Sequence, residues 1–335
     1  IKARTLLYAA SPLHNPENDV TKWEAAAAAA NELITNPDLN YSLDPSYGSY
    51  FVGGNPLTSP ETIYCVRRAQ SNNMEKNNYP IATQGGKSGA TPTHNLVAAY
   101  EYIGTPDPSN PYANRDPRLA ASVVTNGSTW NGRVIDQSAG ATDDMANANA
   151  SRTGYYLKKF LTDNLNLQQG QVAQHNWIAY RYAEVLLNYA EAMNEAYGPY
   201  GEDPKGALRI DGINTAEGAI NAIRARVNMP PLEKGLSKDQ MRDKIKHERW
   251  VELCFEGHRF YDLRRWKEGD KLGEPIHGIV ITPTGFDSNN RPTGFTYKVE
   301  KVEDRVWRDC MYWWPIPQEE IVKYPAGNFE QNPGW

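Results

Sequence analysis

Apolar residues recur at helical spacing from the start of the chain: Ala3, Leu6, Leu7 and Ala10 share one face until Pro12 stops the pattern. A helix is therefore already under way at Ile1. Thr21 and Glu24 then match the S/T-x-x-E capping box, which predicts a second helix through the alanine run 25–30, ending before Pro37. Alanine favours helix, and its small side chain lets a neighbouring helix come close, so the two make a packed αα-hairpin.

The pattern then loosens. From about 40 to 175, Gly, Pro, Asn, Ser and Tyr dominate; "ETIYCVRR" and "GYYLKKFL" read as strands, and 95–102 as a short helix behind Pro92. Long irregular loops inside a compact domain usually carry function. Helical periodicity returns over 176–197, 216–227 and 237 to about 266, the last opened by a capping box of Ser237 and Gln240. Phe295, Tyr297 and Val299 then alternate with Thr296, Lys298 and Glu300 as a hairpin strand, and a Pro-rich coil follows. These elements predict a mainly α fold of helical hairpins with long loop insertions and minor β-hairpins. No linker divides 1–335, so it reads as a single domain with a helical hairpin (1–36), a loop-rich region (37–175) and a helical and coil region (176–335).

Composition narrows what such a body can do. With 40% hydrophobic and 22% charged residues the chain has ordinary globular usage, and 35 Lys+Arg against 40 Asp+Glu leave a net charge of -5. No basic field exists to gather nucleic acid. Cys65, Cys254 and Cys310 are too far apart for a CxxC metal or redox motif, and no apolar run is long enough to span a membrane.

Catalytic patterns fare poorly. "QGGKSG" at 84–89 lacks the first glycine of a phosphate loop, because Ile81 stands there, and His247-Glu248 fails as HExxH because Val251 occupies the second histidine's place. No G-x-S-x-G elbow occurs. Glu184, Glu191 and Glu195 fall within roughly 40° of one another on a helical wheel, which makes paired carboxylates for sugar hydrolysis conceivable. A solvated or salt-bridged face is the competing reading and the leading one. No catalytic residue, metal ligand or cofactor site is assigned.

The densest chemistry lies in "HERWVELCFEGHRFYDLRRW", residues 247–266, where four acids balance four arginines. Glu248, Glu252 and Glu256 continue a stripe with Met241 and Ile245, while Trp250, Leu253 and Cys254 take the far side, so both sides of the helix are covered. Charges inside such packing must find partners, which predicts an internal ion-pair lattice. Gly257 supplies the freedom to turn.

This segment resembles the C-terminal signature of the SusD/RagB family. "WIAYRYAEVLLNYAEAMNEA", "RDPRL" and "WWPIPQEEI" through "QNPGW" are similar to other family blocks in the same order. "KARTLLYAASP" with "KWEAAAAAANELI" resembles a family helical pair, and "SPETIYCVRR" through "PTHNLVAAYE" the block around its ligand loops. The resemblance covers essentially the whole chain. It implies TPR-like helical hairpins forming a curved body, and an outer-membrane, cell-surface lipoprotein of Bacteroidetes. It further implies non-catalytic binding of an oligo- or polysaccharide and its delivery to a SusC-like TonB-dependent transporter. The family's lipidated cysteine and first helical repeats have no counterpart here, so an upstream portion carrying the lipid anchor is expected. A glycoside hydrolase and a helical-repeat adaptor for protein are the alternatives.

The family's specificity resides in variable loops, where sugars offer C–H faces to aromatic rings and hydroxyls to amides and arginine. In and beside the corresponding block, Tyr47, Tyr50, Arg67, Asn72, Asn73, Tyr79 and Gln84 are the candidate ligand contacts, with Tyr50 and Tyr79 expected on exposed loops. Trp130, beside Gly127 and Gly132, is expected to anchor the fold instead.

Overall fold

A computed structural model describes residues 1–202, 213–325 and 327–335. Helices α1 (Lys2–Ala10), α2 (Val20–Thr35), α3 (Tyr182–Tyr197), α4 (Ala216–Arg226), α5 (Lys238–Glu252) and α6 (Arg259–Arg265) form the body. The chain is mainly α: α1 packs on α2, α2 on α3, and α3 on both α4 and α5. Residues 182–195 of α3 are all buried, so this helix is the axis of the core. The alanines at 26, 27, 29 and 30 are buried in one cluster with Leu186, Met193, Ile220 and Met241, as close helix packing requires.

The helix ends show where local signals succeed and where they are outcompeted. Ser237 and Gln240 form the predicted capping box reciprocally, with bonds of 3.2 and 2.8 Å. At α2 the cap lies two residues earlier than the motif predicts. Asp19 accepts the Thr21 amide at 3.0 Å, and the Thr21 hydroxyl donates to the same carboxylate at 2.7 Å instead of capping. A carboxylate is the stronger acceptor for an unsatisfied helix amide.

Two predicted helices are shorter than their periodicity suggests. Residues 176–181 are not helical. They form β2 (Asn176–Arg181), antiparallel to β1 (Thr62–Arg67), and α3 starts only at Tyr182. A partner strand more than a hundred residues earlier overrides the helical spacing. The helix predicted over 237–266 breaks after Glu252, where Phe255 (φ 64°) and Gly257 (φ 80°) take left-handed conformations and end the hydrogen-bond ladder.

The loop-rich region carries only small ladders among the described residues. "GYYLKKFL" contributes Tyr156–Leu157, paired with Val123–Val124, before the amides of Lys158 and Lys159 both turn to the Ser122 carbonyl. The helix expected at 95–102 is His94–Ala99, capped by Thr93. Tyr79, Trp130, Ile135, Tyr156 and Leu161 make a second apolar cluster, so Trp130 is the anchor its glycine-flanked position suggests. The predicted hairpin is longer than its alternating core: β3 (Ile276–Phe286) pairs with β4 (Pro292–Glu303), and Ile279 and Ile281 point into a third cluster.

Candidate functional site

The 247–266 segment is the centre of a buried ion-pair lattice. Glu252 receives Arg118 at 2.9 Å, Arg181 at 2.7 Å and Arg226 at 2.6 Å. Glu248 joins Arg118 to Arg224, Glu256 takes Arg181 and Lys159, and Glu61 takes Arg181 and Arg226. Burial alone would raise the pKa of Glu252, yet Arg226, Arg181 and Arg118 together hold it well below the usual carboxylate range. Glu256 follows the same logic: burial opposes ionisation, and Arg181 and Lys159 bring its pKa down to about 2. Glu248, Glu252 and Glu256 are each matched by two or more cations, so these carboxylates tie loops to helices and none is poised as an acid or base.

The carboxylate stripe on α3 is likewise paired. Glu184 is held by Arg4 at 2.6 Å, Glu191 by Arg265 at 2.5 Å and by the Trp266 indole at 2.7 Å, and Glu195 by Arg242 at 2.6 Å. A glycosidase acid needs a raised pKa. Burial would supply that for Glu184, but Arg4 reverses it and the pKa is lowered. The stripe is a buried, salt-bridged face.

The seven residues singled out in the loops part company. Tyr47, Tyr50 and Tyr79 are core residues rather than exposed ones. The Tyr47 hydroxyl donates to the Glu252 carbonyl at 3.1 Å and accepts from Lys159 at 2.9 Å. Tyr50 shares a 2.9 Å bond with the Thr62 hydroxyl. Tyr79 donates to the Thr162 carbonyl and accepts the Leu165 amide, and burial pushes its pKa up to about 12. A ring face committed to the core cannot stack on a sugar in this arrangement.

Arg67, Asn72, Asn73 and Gln84, by contrast, are strung along one edge, the segment 166–177. Gln84 accepts the Leu167 amide at 2.5 Å, Asn72 donates to the Gln171 carbonyl at 2.8 Å, Ser71 pairs with Ala173, and Arg67 is opposite Asn176. Asn72 is buried and spends its amide on that contact. Arg67 and Asn73 are exposed, and neither side chain makes a hydrogen bond or ion pair among the described residues.

Sequence reasoning missed the aromatic part of this edge. On the β1–β2 ribbon, Tyr64 is opposite Tyr180 and, past a register shift at Cys65, Val66 is opposite Trp177. Trp177 is 45% and Tyr64 57% exposed. Trp177 is backed by Phe160 at 6.2 Å, and Tyr180 carries the Arg4 guanidinium 4.0 Å above its ring. Tyr64 also walls a groove of about 410 Å³ shared with Leu33, Ile63 and Glu184. The result is an exposed aromatic face on a ribbon that ends in the exposed Arg67. Alternation of burial through Asn176, Trp177 and Ile178 is the signal that separates this strand from the helix after it. No group of three or more His, Cys, Asp or Glu among the described residues could hold a metal, and no described helix is long and apolar enough to cross a membrane.

Comparison with known proteins places this geometry in a family. A sequence profile of the SusD family matches residues 60–335. SusD-like protein P2 of Formosa agariphila is 30% identical over 229 residues, covering 66% of this chain and 37% of that protein. Among solved structures, a SusD-like protein of Bacteroides fragilis superposes with a TM-score of 0.76 at 29% identity, over all of this chain and 64% of the other. A SusD-like carbohydrate-binding protein of the same species gives 0.72 at 25% identity, over 96% and 62%. The chain thus spans less than two thirds of the length of each of these relatives. By its helical body, its signature lattice and these matches, the chain belongs to the SusD family.

Proposed function

We propose that this chain captures an oligo- or polysaccharide at the cell surface without cleaving it, and passes it to a SusC-like TonB-dependent transporter of the outer membrane. One observation carries the reading. Trp177 and Tyr64 stand exposed on a ribbon whose far end is locked into the ion-pair lattice, and Arg67 at its near end and Asn73, further along the chain, are exposed with no side-chain hydrogen bond or ion pair among the described residues. A pyranose presents an apolar C–H face and a girdle of hydroxyls, which such rings, amides and guanidinium groups match. The carbohydrate-binding relative in Bacteroides fragilis supports the ligand class, and the pairing of Glu184, Glu191 and Glu195 with arginines supports capture over hydrolysis. A single SusD-like domain over 1–335 is part of the proposal, supported by ion pairs that join Glu61 and Arg118 of the loop region to Arg226 and Glu252.

The test is affinity electrophoresis through gels containing individual polysaccharides, with reducing ends counted afterwards. Retarded migration without new reducing ends is the expected result. New reducing ends, or unretarded migration in every gel, would overturn the proposal.

A further inference from the structure

A second, larger trough lies on the β3–β4 hairpin and the C-terminal coil, away from the ribbon. It has two arms that share Glu303 and Arg305. One arm, about 540 Å³, is walled by Phe260, Trp307, Trp313, Trp314 and Trp335. The other, about 870 Å³, sets the polar side chains of Thr91, Arg152 and Lys301 among apolar ones such as Ile276, Val280 and Val302.

The aromatic walls are fixed in place. Trp307 lies against Gly269 so closely that a Cβ there would fall 2.0 Å from its ring, and it meets Tyr312 edge-on at 4.9 Å. The Trp335 indole donates to the Cys310 carbonyl at 2.9 Å, and Trp314 rests on the Arg264 guanidinium at 5.0 Å. Trp314 nevertheless remains 63% exposed. At the junction, Arg305 is aimed by the Glu274 carbonyl at 2.8 Å, whereas the Glu303 carboxylate has no hydrogen bond or ion pair among the described residues. Arg152 is likewise exposed and unpaired among them.

We infer that this trough is a second carbohydrate site, which takes a neutral oligosaccharide with one ring on the tryptophan wall and the following rings among the polar groups. The complementarity is specific. A purely apolar ligand would cover Glu303 and Arg152 without partners, at a desolvation cost. The polar lining is of mixed sign, Glu300 and Glu303 among Arg152, Lys301 and Arg305, so a ligand of either charge would meet like-charged neighbours there. A neutral sugar chain satisfies both arms, because its C–H faces meet the rings and its hydroxyls donate to the carboxylate and accept from the guanidinium groups. The size of each arm is that of an ordinary ligand pocket. The inference goes beyond the ribbon site and stands without it.

The test removes the ribbon site first. The Trp177→Ala chain is titrated calorimetrically with maltohexaose, cellohexaose, mannohexaose and xylohexaose, alone and with Trp314→Ala or Glu303→Gln added. At least one sugar is expected to bind the Trp177→Ala chain, weakened about tenfold or more by Trp314→Ala and several-fold by Glu303→Gln. Glu303→Gln alters an exposed side chain with no partner among the described residues, so its effect is not one of folding. No binding of any of the four to the Trp177→Ala chain, or binding indifferent to both added changes, overturns the second site. If Trp177→Ala binds all four sugars as the unsubstituted chain does, the ribbon reading fails instead, and the trough is judged on Trp314→Ala and Glu303→Gln alone.

Discussion

Arg181 and Arg67 occupy opposite ends of the same two-stranded ribbon, Arg181 opposite Thr62 and Arg67 opposite Asn176. Arg181 is 1% exposed and bonds to Glu61, Glu252 and Glu256. Arg67 is exposed and bonds to no side chain among the described residues. One residue type thus stands in two environments at the two ends of a ribbon six residues long. Where a charge is buried, its partners are fixed and its work is to hold the fold; where it is exposed and unmatched, its donors are free for a ligand. The same division separates Tyr50 and Tyr79, committed to the core, from Tyr64 and Trp177 on the outer face.

The sharpest way to break this comparison is at the paired end. Glu252→Ala leaves Arg118, Arg181 and Arg226 without a shared anion and is expected to destabilise by roughly 3–5 kcal/mol in urea unfolding. A change near zero would mean that these charges are solvated.

Acid titration probes the same interior. His258 is buried against Arg249, with Glu184, Asp262 and Glu256 also facing it; burial first, then Arg249, lowers its pKa from 6.5 to about 4. Between those values the unfolded chain takes up a proton that the folded chain refuses, so stability falls as pH drops from about 6.5 to about 4. The loss from this group is on the order of 3 kcal/mol. Unfolding free energies measured across that window should show a shallower slope for His258→Gln. An unchanged slope would exclude His258 as the source.

A smaller effect is expected at Tyr79. Removing its hydroxyl in Tyr79→Phe strands the Thr162 carbonyl and the Leu165 amide, at a cost of about 1–3 kcal/mol in stability. Glycan affinity of the folded molecules should not move. A lost affinity with intact stability would return Tyr79 to the binding surface.

How much of this was legible depends on the range of the interaction. Local signals survive: the Ser237–Gln240 box, the glutamate stripe at 248, 252 and 256, and the turn at Gly257 each depend on residues a few positions apart. What escaped depends on distant partners. Tyr47 is buried because its hydroxyl reaches a carbonyl 205 residues away, and Tyr79 because its own reaches one 83 away. Loop composition around them says nothing of either. Trp177 was hidden for the complementary reason: its strand exists only where β1 pairs with it, and without that partner the segment reads as the first turns of α3. The edge that joins Arg67, Asn73 and Gln84 was legible as residues, but not the aromatic face beside it.

Trp177 tests the central claim most directly. Isothermal titration of the unsubstituted chain and of Trp177→Ala, against whichever polysaccharide retards the protein in gels, is expected to show binding weakened by about 1–3 kcal/mol in the variant. Urea unfolding of the two proteins should agree within about 1 kcal/mol, because the ring is half exposed. Equal affinities for the two proteins, with folding intact, would contradict the assignment of recognition to the unpaired end of the ribbon.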